Sequence, residues 1–242
     1  MQVKEDYKVR RSARAKRARI VVSAEKVEIV VPLRMPEKYI QQFVQDKQAW
    51  VESAKNKVQQ YVESIESFAP ASYQQGAMIP FQGEQSVLHV KFSSRHQVKI
   101  DFVDCFVADV PERWQEILTG VELNVRIRQA LIEWLGKMAA CQATKYMDKY
   151  TLLYQLEPRS VTLKVQKSRW GSCGIHDDIY LNWLLILAPG AVFEYVVVHE
   201  LCHIQQRNHS AAFWALVAQH CPDYQQHRAW LKRHGASLML GL

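Results

Sequence analysis

At 242 residues, with 48% hydrophobic and 23% charged residues, the chain is long enough and apolar enough to bury a proper core, which excludes a disordered, fibrous or disulfide-stapled protein. Its formal charge of +7 is concentrated, because Lys4, Lys8, Arg10, Arg11, Arg14, Lys16, Arg17 and Arg19 face only Glu5 and Asp6 within residues 1–20 while the remainder is close to neutral. Any attraction to nucleotides or nucleic acid is therefore a property of the N-terminal arm, whose plainer reading is a solvated segment leading into a strand edge.

In chain order, 19–23 and 26–31 are rich in β-branched residues with a short step between them, which predicts a hairpin. From Pro36 onward Ile40, Phe43, Val44, Trp50, Val51, Ala54, Val58, Tyr61 and Val62 recur at helical spacing, predicting a helix of roughly seven turns. Residues 67–80 contain Pro70, Gly76 and Pro80 and read as a linker or long connection. Beyond it, 87–92, 98–102 and 106–110 predict a small antiparallel β-meander. Ile127, Leu131, Trp134, Leu135, Met138 and Cys141 then place one apolar face on a helix over 124–148. Strands over 161–166 and 179–183 flank the loop 168–177, and helices follow from about Ala191. The expected organisation is a hairpin and helix region over 1–70 and a hydrolase domain over 71–242, with a single continuous domain over 1–242 as the alternative.

Five cysteines (Cys105, Cys141, Cys173, Cys202, Cys221) are scattered without a C-x-x-C pair, which argues against a disulfide framework or zinc ribbon and for a reducing, cytoplasmic compartment. The N-terminus lacks the apolar segment of a secretion signal. The most apolar stretch, 180–198, is interrupted by Asn182, Pro189, Gly190 and Glu194, so neither secretion nor a membrane span is expected.

The segment that carries chemistry is His199-Glu200-Leu201-Cys202-His203, an H-E-x-x-H match within 192–206, whose composition suits a buried helix. Histidines four apart project from one helix face, so both imidazoles can reach one cation. Glu200, one step round, can then serve as general base toward a metal-activated water. Burying two histidines and a glutamate behind Tyr195, Val196, Val197 and Val198 costs several kcal/mol unless they are paired or metal-bound. A catalytic zinc asks for a third protein ligand, and after His203 the candidates are His209 and Asp223, the only acid left. His209 is favoured at ten residues after His199, with Asn208 as a left-handed hinge in place of glycine. Cys202 should point into packing. His220, His227 and His234 look surface-facing, with His227 or Tyr224 able to polarise a substrate.

With these residues in view, the chain resembles the YgjP-like metallopeptidase-domain family, related to SprT-like and WLM metallopeptidases. The resemblance rests on Ser168-Arg169-Trp170-Gly171-Ser172-Cys173, Leu181-Asn182-Trp183, the segment 196–203, Asn208-His209-Ser210 and Phe213-Trp214. It implies an α+β fold built as a minimal zincin, a mixed sheet packed on the helix that carries the motif, with zinc as cofactor and a peptide or protein as substrate. It also implies that an extended peptide adds beside a strand near 171–180. Arg169, Trp170 and Asn182 then become candidates for the substrate groove. The plainer reading is a Trp in the core and an Arg paired with a carboxylate.

Three enzymatic readings follow: a zinc metallopeptidase, a nucleoside triphosphate pyrophosphohydrolase favoured by the basic arm but lacking a Gly-rich phosphate loop, and a SprT-like protease acting on DNA-bound proteins. The non-enzymatic reading is a binding module with a closed structural metal, for which Cys173 would be the fourth ligand. A base beside the ligands, Glu200, argues against it.

Overall fold

In the computed structural model, which describes residues 7–23, 25–166 and 168–242, the chain divides into two compact units, Met1–Glu66 and Ser67–Leu242. Lys4, Glu5 and Asp6 of the basic arm lie outside the described residues.

The first unit holds β1 (Tyr7–Ser12), β2 (Arg19–Val22), β3 (Val27–Pro32) and α1 (Glu37–Glu63). The expected hairpin is the antiparallel pair β2–β3, and β1 adds in parallel on the other side of β3. β3 takes the centre because Val27, Ile29, Val30 and Val31 are all apolar and all buried. Val27, Ile29 and Val31 form a small core with Ile40, against which Phe43, Val44 and Val51 of α1 pack. Further along α1, Tyr61 and Val62 of the same stripe remain exposed, so only its first half is spent on the core.

The second unit begins with β4 (Met78–Phe81), β5 (Glu84–Ser93), β6 (Lys99–Phe102) and β7 (Phe106–Pro111), in the order β4-β5-β7-β6. Two expectations are corrected here. Pro80 belongs to a strand, not a linker, which is allowed because β4 is an edge where a missing N–H need not break a ladder. Nor is the sheet an antiparallel meander: β7 inserts between β5 and β6 and pairs with β5 in parallel. The cause is β7 itself, whose Phe106, Ala108, Asp109, Val110 and Pro111 are all buried, a pattern that suits only a central strand. Buried Asp109 is matched by Ser93 and Arg95, which hold its carboxyl below the usual carboxylate range.

α2 (Trp114–Ile117) leads to α3 (Gly120–Tyr154), opened by a capping box in which the Thr119 side chain accepts from the Glu122 N–H and Glu122 accepts from the Thr119 N–H. α3 outruns the predicted 124–148 at both ends and stops where Gln155 turns left-handed, at φ 55°. Its buried stripe is Ile127, Leu131, Leu135, Ala139, Ala143, Met147 and Tyr150. Cys141, expected on that face, is exposed, because the stripe advances in steps of four and Cys141 falls between two of them. Phe81, Phe102, Phe106 and Trp134 lock the sheet to α3 through ring contacts at 4.8–6.1 Å.

β8 (Ser160–Lys164), β9 (Gly171–Cys173) and β10 (Asp178–Asn182) form a mixed sheet in the order β8-β10-β9, with β8 parallel and β9 antiparallel to β10. A 3₁₀ turn over Trp183–Leu187 follows, then α4 (Gly190–Gln205), α5 (Ala211–His220) and α6 (Tyr224–Met239). The architecture is mixed α+β, with small sheets and six α-helices among the described residues. No described helix is long and apolar enough to cross a membrane.

Candidate metal centre

α4 is the most enclosed helix of the second unit, with Val192, Phe193, Tyr195, Val196, Val197, Val198, Leu201 and Cys202 all buried. That enclosure fixes its rotation, so His199, Glu200 and His203 have one direction in which to project. Cys202 is a core thiol with no exposure, as its place between the ligand positions suggested.

After Gln205 the chain turns and re-enters a helix at Ser210, whose side chain caps α5 through the Phe213 N–H. The turn needs no left-handed hinge at Asn208: among described residues the non-glycine positive φ angles belong to Gln82, Gln155 and Asp177. Asn208 works through its side chain, whose Oδ1 accepts from the Ser210 N–H at 3.1 Å. This turn brings His209 back to α4.

His199, His203 and His209 each offer a ring nitrogen, and the three nitrogens lie within 4.8 Å of one another. Asp223, the other candidate third ligand, joins no such cluster among the described residues; it sits at the start of α6 and accepts from Gln226. Nε2 of His199 and Nε2 of His209 stand 3.1 Å apart. Nitrogens held about 2.0–2.1 Å from one tetrahedral cation would be separated by roughly 3.4 Å, so the spacing fits a metal. The charge state fits as well. Burial and the neighbouring imidazoles hold His199 down to about 3, and burial lowers His203, so both are neutral, as ligands must be. His203 Nδ1 lies 2.9 Å from the Gln206 carbonyl, which can only accept; the proton is therefore on Nδ1 and the Nε2 lone pair is free. Nδ1 of His199 is buried without a hydrogen-bond partner.

Phe213 is the platform beneath the cluster, fully buried, with its ring 4.9, 4.4 and 4.8 Å from those of His199, His203 and His209. Trp214 flanks His199 and His209 at 5.7 and 5.6 Å, stacks with Tyr224 at 5.4 Å and has the Arg228 guanidinium 4.8 Å from its ring centre.

Glu200 is 5% exposed, and burial pushes its carboxyl up to about 8, with Arg169 and a hydrogen bond from the Cys173 N–H pulling the other way. A cation held by the histidines would lower it further. The carboxylate fits only because β9 passes close by at a glycine. A Cβ on Gly171 would lie 2.6 Å from both Cγ and Oε1 of Glu200. The sequence offered Gly171 as part of a motif but gave no reason for it, since its partner is a residue of α4, remote in the chain.

The groove candidates separate. Arg169 is exposed near Glu200, and Trp170 is half-buried with its ring against Gly235 of α6. Asn182 is fully buried and is no groove residue: its Nδ2 donates to the carbonyls of Gln166 and Arg169, and its Oδ1 accepts from the Leu184 N–H. It pins the segment leading into β9. Arg207 does the same from the other side, donating to the Gly174 carbonyl at 2.7 Å and pairing with Asp177. Cys173 receives a long contact from Arg207 and joins no ligand cluster among the described residues. The C-terminal histidines are less exposed than expected: His220 is buried against Tyr154, and His227 and His234 are half-buried.

Compared with known proteins, residues 16–234 match the family model described as YgjP-like, metallopeptidase domain. No curated protein and no solved structure matches the chain.

Proposed function

Because the chain belongs to the YgjP-like metallopeptidase-domain family, nearly its whole length matching, we propose that it is a zinc-dependent peptidase of minimal zincin type, with His199, His203 and His209 as ligands and Glu200 as general base. The observation that carries the reading is a nearly sealed carboxylate beside three converging imidazoles. Zinc in that position would act as a Lewis acid toward the scissile carbonyl and make water acidic near neutral pH.

The protein's own groups then do the rest. Glu200 takes the proton from water on a carboxylate oxygen and passes it to the departing amine. The Cys173 N–H orients that carboxylate and Gly171 makes room for it. Gln206 fixes the His203 tautomer, and Phe213 holds all three rings at their spacing. Arg169, exposed and close enough to act on the Glu200 charge, would face the substrate. The unit Ser67–Leu242 holds every one of these residues and is the hydrolase domain. Free cysteines throughout are consistent with a cytoplasmic protein.

One observation favours a second reading, hydrolysis of a nucleoside triphosphate: Arg169 and Arg228 flank the site, and neither has an ion pair among the described residues. A single experiment separates the two. Chelator-treated protein reloaded with zinc is offered a mixed peptide library and, separately, nucleoside triphosphates. Zinc-restored cleavage of peptides alone is the expected result; zinc-restored release of pyrophosphate alone would replace the peptidase reading.

Gly171→Ala gives a further check on the role of the close approach. The three atoms nearest the added methyl all belong to the Glu200 side chain and none to backbone, so the fold and the bound metal should survive while Glu200 is displaced. A shift of that kind costs about 10²-fold in turnover. Thermal melting, metal content and turnover are measured together; unchanged turnover would mean that Glu200 does not need its present position.

A further inference from the structure

The first unit has one apolar face and one basic face. Residues opposite each other on paired strands share a face, and the registers place Arg10, Val30 and Arg19 in one row across β1, β3 and β2, with Lys8, Glu28 and Val21 in the next. The opposite face carries Val9, Ile20, Ile29 and Val31 into the core. Glu28 is the acid of the outer rows, and it is already engaged by Arg10 at 3.0 Å and Lys26 at 3.5 Å.

Beside these rows, residues 13–18 make a tight connection from β1 to β2. Ser12 anchors it, its carbonyl accepting from the Ala15 N–H and its hydroxyl from the Arg14 N–H. Arg14, Lys16, Arg17 and Arg19 are all exposed, and none has an ion pair among the described residues. With Ser12 and Val30 they line a cavity of about 480 Å³, and among the described residues no acid stands in its wall. Four unpaired cations this close repel one another, a cost the fold does not need for its own core.

We infer that this loop and the start of β2 form a docking surface for the phosphate backbone of a nucleic acid. Arginine predominates, and its forked donors match phosphate oxygens. Small alanines at 13, 15 and 18 separate the cations and let a backbone approach closely. Residues 8–24 contain no aromatic side chain, so the loop cannot stack on bases and holds the polyanion without reading its sequence. Between β1 and β2, residues 13–18 carry no apolar side chain larger than alanine, which leaves the loop nothing with which to enter a lipid interface. The inference is independent of what the metal centre hydrolyses.

The test is fluorescence anisotropy of the full chain with a labelled DNA duplex of about 20 base pairs, read as a function of salt. Four phosphate contacts predict that affinity falls roughly 10²-fold between about 50 and 200 mM salt. The triple variant Arg14→Ala, Arg17→Ala, Arg19→Ala should bind at least about tenfold more weakly at low salt, with the slope of log K against log salt shallower by about 3. All three side chains are exposed, so far-ultraviolet circular dichroism should be unchanged. A control removing Lys137, Lys145 and Lys232, three exposed cations of the other unit, should leave the slope as it was. The inference is overturned by absence of binding at low salt, by equal losses in the two triple variants, or by duplex being displaced by vesicles of anionic phospholipid.

Discussion

Glu200→Gln should retain its full complement of zinc and lose about 10²- to 10⁴-fold in turnover, the range a positioned general base contributes. The substitution is nearly isosteric in a place with little room to spare, hemmed by Gly171 on β9. An amide oxygen can still accept from the Cys173 N–H, so the geometry is kept. What disappears is the ability to take a proton. Folding should not suffer, since the carboxylate is buried at a cost that its partners only partly offset. Elemental analysis beside single-turnover kinetics decides the matter: wild-type rates in a zinc-loaded Gln variant would remove Glu200 from the mechanism.

His209→Ala should cost more than about 10²-fold in metal affinity, beyond what loss of a second-sphere partner costs, while Asp223→Ala leaves metal content unchanged. His209 sits on an exposed turn and leans on Phe213 and Trp214 without being part of the core, so its removal is a loss of ligand and not of fold. Asp223 makes no side-chain cap to α6 and stands in no cluster with the histidines. Competition with a chromophoric chelator measures both variants. Metal retained by the His209 variant and lost from the Asp223 variant would reverse the assignment.

The histidine cluster could be read from sequence because its geometry is local. Two histidines one helical turn apart, and a third brought back by a capped turn of five residues, need only helix periodicity and turn chemistry. Gly171 and Cys173 could not be read, because what makes them matter is Glu200, on another element. Fold errors have the same origin. β1, with Lys8, Arg10 and Arg11, looked like solvated arm because its strand character depends on β3 being beside it. Pro80 suggested a linker until β4 proved to be a sheet edge, and the order β5-β7-β6 was hidden because burial of β7 on both faces is a tertiary fact. Asn182 looked available because a polar residue in a motif reads as functional; its Nδ2 is consumed by the segment it pins and its Oδ1 by the Leu184 N–H.

Arg207 joins two things usually treated separately. Its guanidinium grips the turn between β9 and β10, while its backbone belongs to the turn that delivers His209. Under the proposed function, occupation of the histidines and ordering of the strand beside Glu200 would be thermodynamically linked. By reciprocity, a substrate that tightened β9 would tighten the grip on a metal by the same factor, and loss of the metal would loosen that strand. Affinity measured for either alone understates what the two have together.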